Sequence, residues 1–81
     1  MPTSVDRREL DAIPDESAIA RFRETAAEQD TSIEATFPAS DGDTKRLVVS
    51  PRGTVVLLTD VSEDTFNQSV APAEIAEALR S

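Results

Sequence analysis

Two apolar runs separated by four turn residues dominate the chain. Leu47-Val48-Val49 and Val55-Val56-Leu57-Leu58 flank Ser50-Pro51-Arg52-Gly53. Proline suits the second position of a type I turn, and glycine accepts the left-handed conformation that follows. The pattern predicts a hairpin with a glycine bulge, running from Lys45 to Ser50 and from Thr54 to Thr59. If Ser50 pairs with Thr54, Val49 faces Val55, Val48 faces Val56 and Leu47 faces Leu57. Alternation then gathers Leu47, Val49, Val55 and Leu57 on one face, and Val48, Val56 and Leu58 on the other. Both faces of this hairpin are apolar, and strands of that kind are normally covered on both sides.

Around the hairpin the periodicity changes twice. Ile19, Phe22 and Ala26 recur at helical spacing, with Asp15 as N-cap, and predict a helix to about Gln29. Ile33, Ala35 and Phe37 alternate with Ser32, Glu34 and Thr36, the pattern of an edge strand with one wet face. Pro38 to Thr44 reads as a turn-rich loop, and Val61 to Ser69 as irregular chain anchored by Phe66. Pro72 suits the first position of a last helix whose inner face is Ile75 and Leu79, supported by Ala78. Val70 and Ile75 form a hydrophobic staple around its start. At the other end, Thr3 with Asp6 makes a weak capping box ahead of Val5, Leu10 and Ile13, and predicts a short helix that Pro14 ends. The expected architecture is a single two-layer α+β domain over residues 1–81: N-terminal helices, a three-stranded antiparallel meander and a C-terminal helix.

Composition changes this picture in one respect. Nineteen of 81 residues are Val, Ile, Leu or Phe, enough for one modest core. Sixteen carboxylates against one lysine and seven arginines leave a formal charge of −8. The acids are spread from Asp6 to Glu77, so they do not form a solubilising tail. Self-repulsion of this kind destabilises a small domain in dilute buffer. At molar salt the screening length falls to about 3 Å and the cost largely disappears. Scarce lysine, abundant Asp and Glu and many small alanines resemble the small acidic cytosolic proteins of salt-in halophilic archaea. The resemblance is compositional and spans the whole chain. It implies a habitat and a cytoplasmic location, and carries no activity with it. No apolar run approaches the roughly 20 residues that span a bilayer, and Met1-Pro2-Thr3-Ser4 leads into charge rather than a signal-peptide stretch.

Candidate chemistry is thin. Without His, Cys or Tyr, general acid–base work would fall to Asp, Glu and Lys45. No serine sits in a Gly-x-Ser-x-Gly elbow, and Gly42 and Gly53 are too few for a phosphate-cradling loop. Asp41-Gly42-Asp43 begins like a calcium loop, yet the fifth, sixth and twelfth positions are Lys45, Arg46 and Arg52. Asp60, Glu63 and Asp64 read as a second solvated acidic patch. The sequence therefore predicts no enzyme, no catalytic residue, no metal site and no cofactor.

Two binding surfaces remain. Lys45 and Arg46 lie at one end of the hairpin and Arg52 at its tip, where a basic turn can reach a nucleic-acid backbone or minor groove. From Asp15 onward, the order helix, three strands, helix resembles that of double-stranded-RNA-binding domains. The last helix departs from that family, opening Ala71-Pro72-Ala73-Glu74 where the family has a lysine-rich stretch, and the loop before Lys45 is acidic. The second surface is Val48, Val56 and Leu58, with Val61 nearby. The N-terminal helix, with Val5, Leu10 and Ile13, is one cover for this face; if it does not reach, a two-fold dimer through the face or its edge is the simplest solution. The expected function is a non-catalytic, salt-adapted interaction or regulatory module with a protein partner, itself or another. A nucleic-acid-associated protein is the alternative, and no membrane is implicated.

Overall fold

The computed structural model of the chain describes residues 5–80. Five strands and two helices follow in the order β1 (Val5–Glu9), α1 (Glu16–Gln29), β2 (Ser32–Pro38), β3 (Thr44–Val49), β4 (Val55–Leu58), β5 (Glu63–Phe66) and α2 (Pro72–Arg80). The strands form one sheet in the order β1-β2-β3-β4-β5. β1 runs parallel to β2 through the α1 crossover, and the other neighbours are antiparallel. The fold is α+β, with a mixed five-stranded sheet.

The α1 helix begins where the sequence requires it. Asp15 accepts a hydrogen bond from the Ala18 amide at 2.9 Å, satisfying a donor the first turn leaves open. It ends at Asp30, which adopts the left-handed conformation at φ 49° and donates its amide to the Ala26 carbonyl. Ile19, Phe22 and Ala26 are buried, as their spacing predicts. On α2, Pro72 stands first, and Ile75, Ala76 and Leu79 are buried. Both helices lie on the sheet face that carries Ile33, Ala35, Phe37, Leu47, Val49, Val55 and Leu57, and these side chains make one core.

The hairpin register is the predicted one: Leu47 opposite Leu57, Val48 opposite Val56 and Val49 opposite Val55. In the connecting turn the Gly53 amide donates to the Ser50 carbonyl at 3.0 Å. Gly53 has φ 94°, while Arg52 keeps a negative φ, as a type I turn with a glycine bulge demands. A Cβ on Gly53 would also meet Gln68 Cβ at 3.2 Å, so the glycine is needed both for its backbone and for the close approach of the segment after β5.

Three expectations are corrected. The N-terminal helix is a strand: Val5–Glu9 pairs in parallel with β2, and the Leu10 amide continues the pairing by donating to the Thr36 carbonyl. Thr3, its expected cap, lies outside the described residues. Val5, Leu10 and Ile13 are spaced by five and three, too loosely to hold one helical stripe. Consequently β2 is not an edge strand but lies between β1 and β3. The meander has four strands rather than three, because Glu63–Phe66 pairs with β4 inside the segment expected to be irregular.

One side chain ties these layers together. Arg23 on α1 donates from Nε to the Gly53 carbonyl at 3.0 Å, from Nη1 to Val70 at 2.6 Å and from Nη2 to Asn67 at 3.2 Å. A single guanidinium fork thereby joins α1 to the β3–β4 turn and to the link between β5 and α2. The Gly53 and Val70 carbonyls lie at part-buried positions outside any strand or helix ladder, so Arg23 satisfies acceptors that burial would otherwise penalise, while the exposed Asn67 carbonyl also accepts from the Val70 amide. Nothing in its spacing distinguishes it from Arg21, which is exposed on the same helix.

Candidate functional site: the helix-free face of the sheet

With both helices on one side, the opposite side of the sheet bears no element among the described residues. Strand register fixes its surface as rows running across the sheet. One row reads Glu9, Thr36, Arg46, Leu58, Glu63 from β1 to β5, and the next reads Arg7, Glu34, Val48, Val56, Thr65. Val48, Val56 and Leu58, singled out by the hairpin pattern, thus form an adjoining half-buried patch over β3 and β4. Leu10 and Ile13 pack against the core, so they give this patch no cover. Val5 reaches the helix-free face at its edge, 43% exposed, opposite Ser32. Val61 does not join the patch: it sits in the β4–β5 loop, 94% exposed.

Charge on this face is nearly balanced. Glu34, whose side chain is 19% exposed, receives Arg46 Nε at 2.9 Å and Arg7 Nε at 3.7 Å, so one carboxylate stands between two guanidinium groups. The rows above hold two arginines and three glutamates, a net charge of −1. The remaining seven of the chain's eight net negative charges lie elsewhere, five on the loops and two on the helices, since the inward strand charges Asp6 and Asp64 are balanced by Arg8 and Lys45.

The basic residues of the hairpin are brought to different places. Arg46 lies on the helix-free face and is bound to Glu34, while its neighbour Lys45 points to the other side by alternation. Arg52 is exposed in the turn, separated from Arg46 by the length of the hairpin, about 20 Å at strand rise. The three do not converge on one surface. Lys45 and Arg46 do border a shallow depression at the sheet end, about 350 Å³ in volume, lined also by Thr36, Thr44, Leu58, Thr59 and Asp60. The element order further departs from that of double-stranded-RNA-binding domains by the parallel strand β1 and the fourth antiparallel strand β5.

The acidic loops hold themselves together. The Asp43 amide donates to Asp41 Oδ1 at 3.0 Å, and the Ala39 amide to the Asp43 carbonyl at 2.7 Å. In the β4–β5 loop, Thr59 Oγ1 accepts from the Val61 and Ser62 amides and hydrogen-bonds the Ser62 hydroxyl, leaving Asp60 exposed. Among the described residues no three carboxylates gather so as to hold a metal ion, and no helix is long and apolar enough to cross a membrane. Neither a protein-family model, nor a curated protein, nor a solved structure matches the chain.

Proposed function

We propose that this chain is a non-catalytic protein-interaction module that works as a homodimer, docking a second copy of itself through the helix-free face of its sheet. One observation carries the reading. On a chain of charge −8, this face keeps an apolar patch of Val48, Val56 and Leu58 and a net charge of only −1. Elsewhere the exposed surface is dressed in carboxylates, which suits permanent contact with water and salt. A copy of the same chain is the partner whose own acidity is turned away when these two faces meet. Any other acidic protein of the same cytoplasm would have to present a similarly neutral face.

The salt-adapted composition supports a condition on this assembly. Two bodies of −8 repel each other in dilute buffer, and molar salt screens that repulsion to within about 3 Å. Association is therefore strongest at high salt, where apolar burial is also strengthened by excluded salts such as sulfate. The test is a mass measurement by sedimentation or light scattering in molar salt. The native chain should run at twice its 8.7 kDa, and the Val56→Glu variant at the monomer mass with unchanged circular dichroism. A monomeric native chain, or a Val56→Glu variant that remains dimeric, overturns the proposal.

A further inference from the structure

The rows of the helix-free face also specify how two copies meet. Resting on the reading above, we infer that the two-fold axis runs along the strands, between β3 and β4, so that Val48 of each protomer stacks on Val56 of its partner. A two-fold axis in this direction exchanges the two halves of the sheet while keeping each row in place. β3 then lies over the partner's β4, and β2 over the partner's β5.

Each superposition can be read from the register. In the row containing Val48 and Val56, those two residues meet crosswise, and Glu34 faces Thr65. In the row containing Arg46 and Leu58, those two meet crosswise, and Thr36 faces Glu63. The Arg46 stem can lie on leucine while its head keeps Glu34. No two like charges are opposed over β2 to β5. β1 overhangs the partner's edge, which leaves Arg7 and Glu9 solvated.

The alternative axis, across the strands through the valine row, is worse on electrostatic grounds. It sets Glu34 over Glu34 and Arg7 over Arg7 of the second copy, a like-charge juxtaposition that disfavours a docking mode. It also separates Leu58 from any apolar partner, since the neighbouring row on the far side puts Ser50 and Thr54 on the central hairpin and its apolar member, Val5, beside Ser32 at the β1 edge. The axis along the strands agrees with the packing of aligned sheets, which cross at about 30° and sit about 10 Å apart.

The chain has no cysteine, so introduced thiols report the arrangement without interference. Thr36→Cys and Glu63→Cys variants, mixed and joined in molar salt by a short thiol-specific cross-linker, should give a covalent heterodimer. Thr36→Cys alone should give none, because its two copies are offset sideways by three strand spacings, about 14 Å. Val48→Cys mixed with Val56→Cys should likewise cross-link faster than Val48→Cys alone. A dimer by mass in which Val48→Cys prefers its own copy, or in which Thr36→Cys and Glu63→Cys fail to join, overturns the axis while sparing the dimer. A native chain that stays monomeric in molar salt overturns both.

Discussion

The two faces of the sheet are built from the same residue types and have opposite fates. Leu47, Val49, Val55 and Leu57 are sealed under α1 and α2, whereas Val48, Val56 and Leu58, one position away along the same strands, have only each other and flanking ion pairs. The helices carry five glutamates against Arg21, Arg23 and Arg80, a net charge of −2, and the connecting loops carry six aspartates against Arg52, a net −5, while the bare sheet face holds −1. Placement of the helices on one side, not hydrophobicity, therefore decides which apolar set becomes core. The other set stays half-buried on the bare face.

Adjacent residues on β3 make the sharpest test of that difference. Leu47→Ala removes a fully buried β3 side chain from the core and should cost about 3 kcal/mol, within the range for core cavities. A denaturation midpoint in molar salt reads this directly. Val48→Ala should cost the monomer under about 1 kcal/mol, because its site can be reached by solvent. Its main effect should be on the dissociation constant of the proposed dimer. Equal losses in the two variants, measured below the dissociation constant, would mean that the two faces are equally covered.

Two arginines extend the comparison to polar contacts. Arg23, on the covered side, serves three backbone carbonyls, of which only that of Asn67 has a second donor, the Val70 amide, and Arg23→Ala should cost roughly 2 kcal/mol. Arg23→Lys should recover only part of this, since an ammonium cannot reproduce the planar fork. Arg46, 54% exposed on the bare face, forms a surface ion pair with Glu34, and Arg46→Ala should cost the monomer no more than about 0.5 kcal/mol. Salt also separates them. The Arg46 effect should fade at molar salt, whereas the Arg23 effect, held by hydrogen bonds to carbonyls, should persist.

The elements that were legible in the sequence are those whose side chains feel the core. The α1 helix, the hairpin register and the start of α2 each carry an apolar period and a turn or cap residue. The two edge strands carry neither. On β1 the residues facing inward are Asp6 and Arg8, which pair with each other at 3.0 Å, and Arg8 lies over the Phe22 ring at 5.6 Å. Inward charges of this kind blunt an edge against unwanted pairing, and they also erase the alternation that would reveal a strand. On β5 only Phe66 touches the core, and Glu63, Asp64 and Thr65 are exposed. The apolar patch of the candidate site was legible because it shares the hairpin's register. The ion-pair network beside it was not, because Arg7 and Glu34 meet only once β1 is known to be a strand. Arg23 was equally hidden, since its three partners are main-chain groups that no residue type announces.

One substitution in the outermost layer should stabilise the chain rather than weaken it. Glu24 and Glu28 are exposed one turn apart on α1, and Glu28 stands in the last turn, where no basic residue offsets the helix dipole. Like charges at this spacing cost about 0.2–0.5 kcal/mol, and a cation near the helix end returns a similar amount. Glu28→Lys should therefore stabilise the chain by roughly 0.5–1 kcal/mol in dilute buffer, with the gain shrinking toward zero at molar salt. The native chain should itself gain stability between those two conditions, because its −8 is then screened. Parallel thermal melts of both proteins along a salt series check the two statements together. If the native chain melts at one temperature throughout, or if Glu28→Lys keeps its full advantage at molar salt, then the carboxylates of the helix layer do not mark a surface adapted to brine. The contrast with the neutral sheet face would then lose its physical basis.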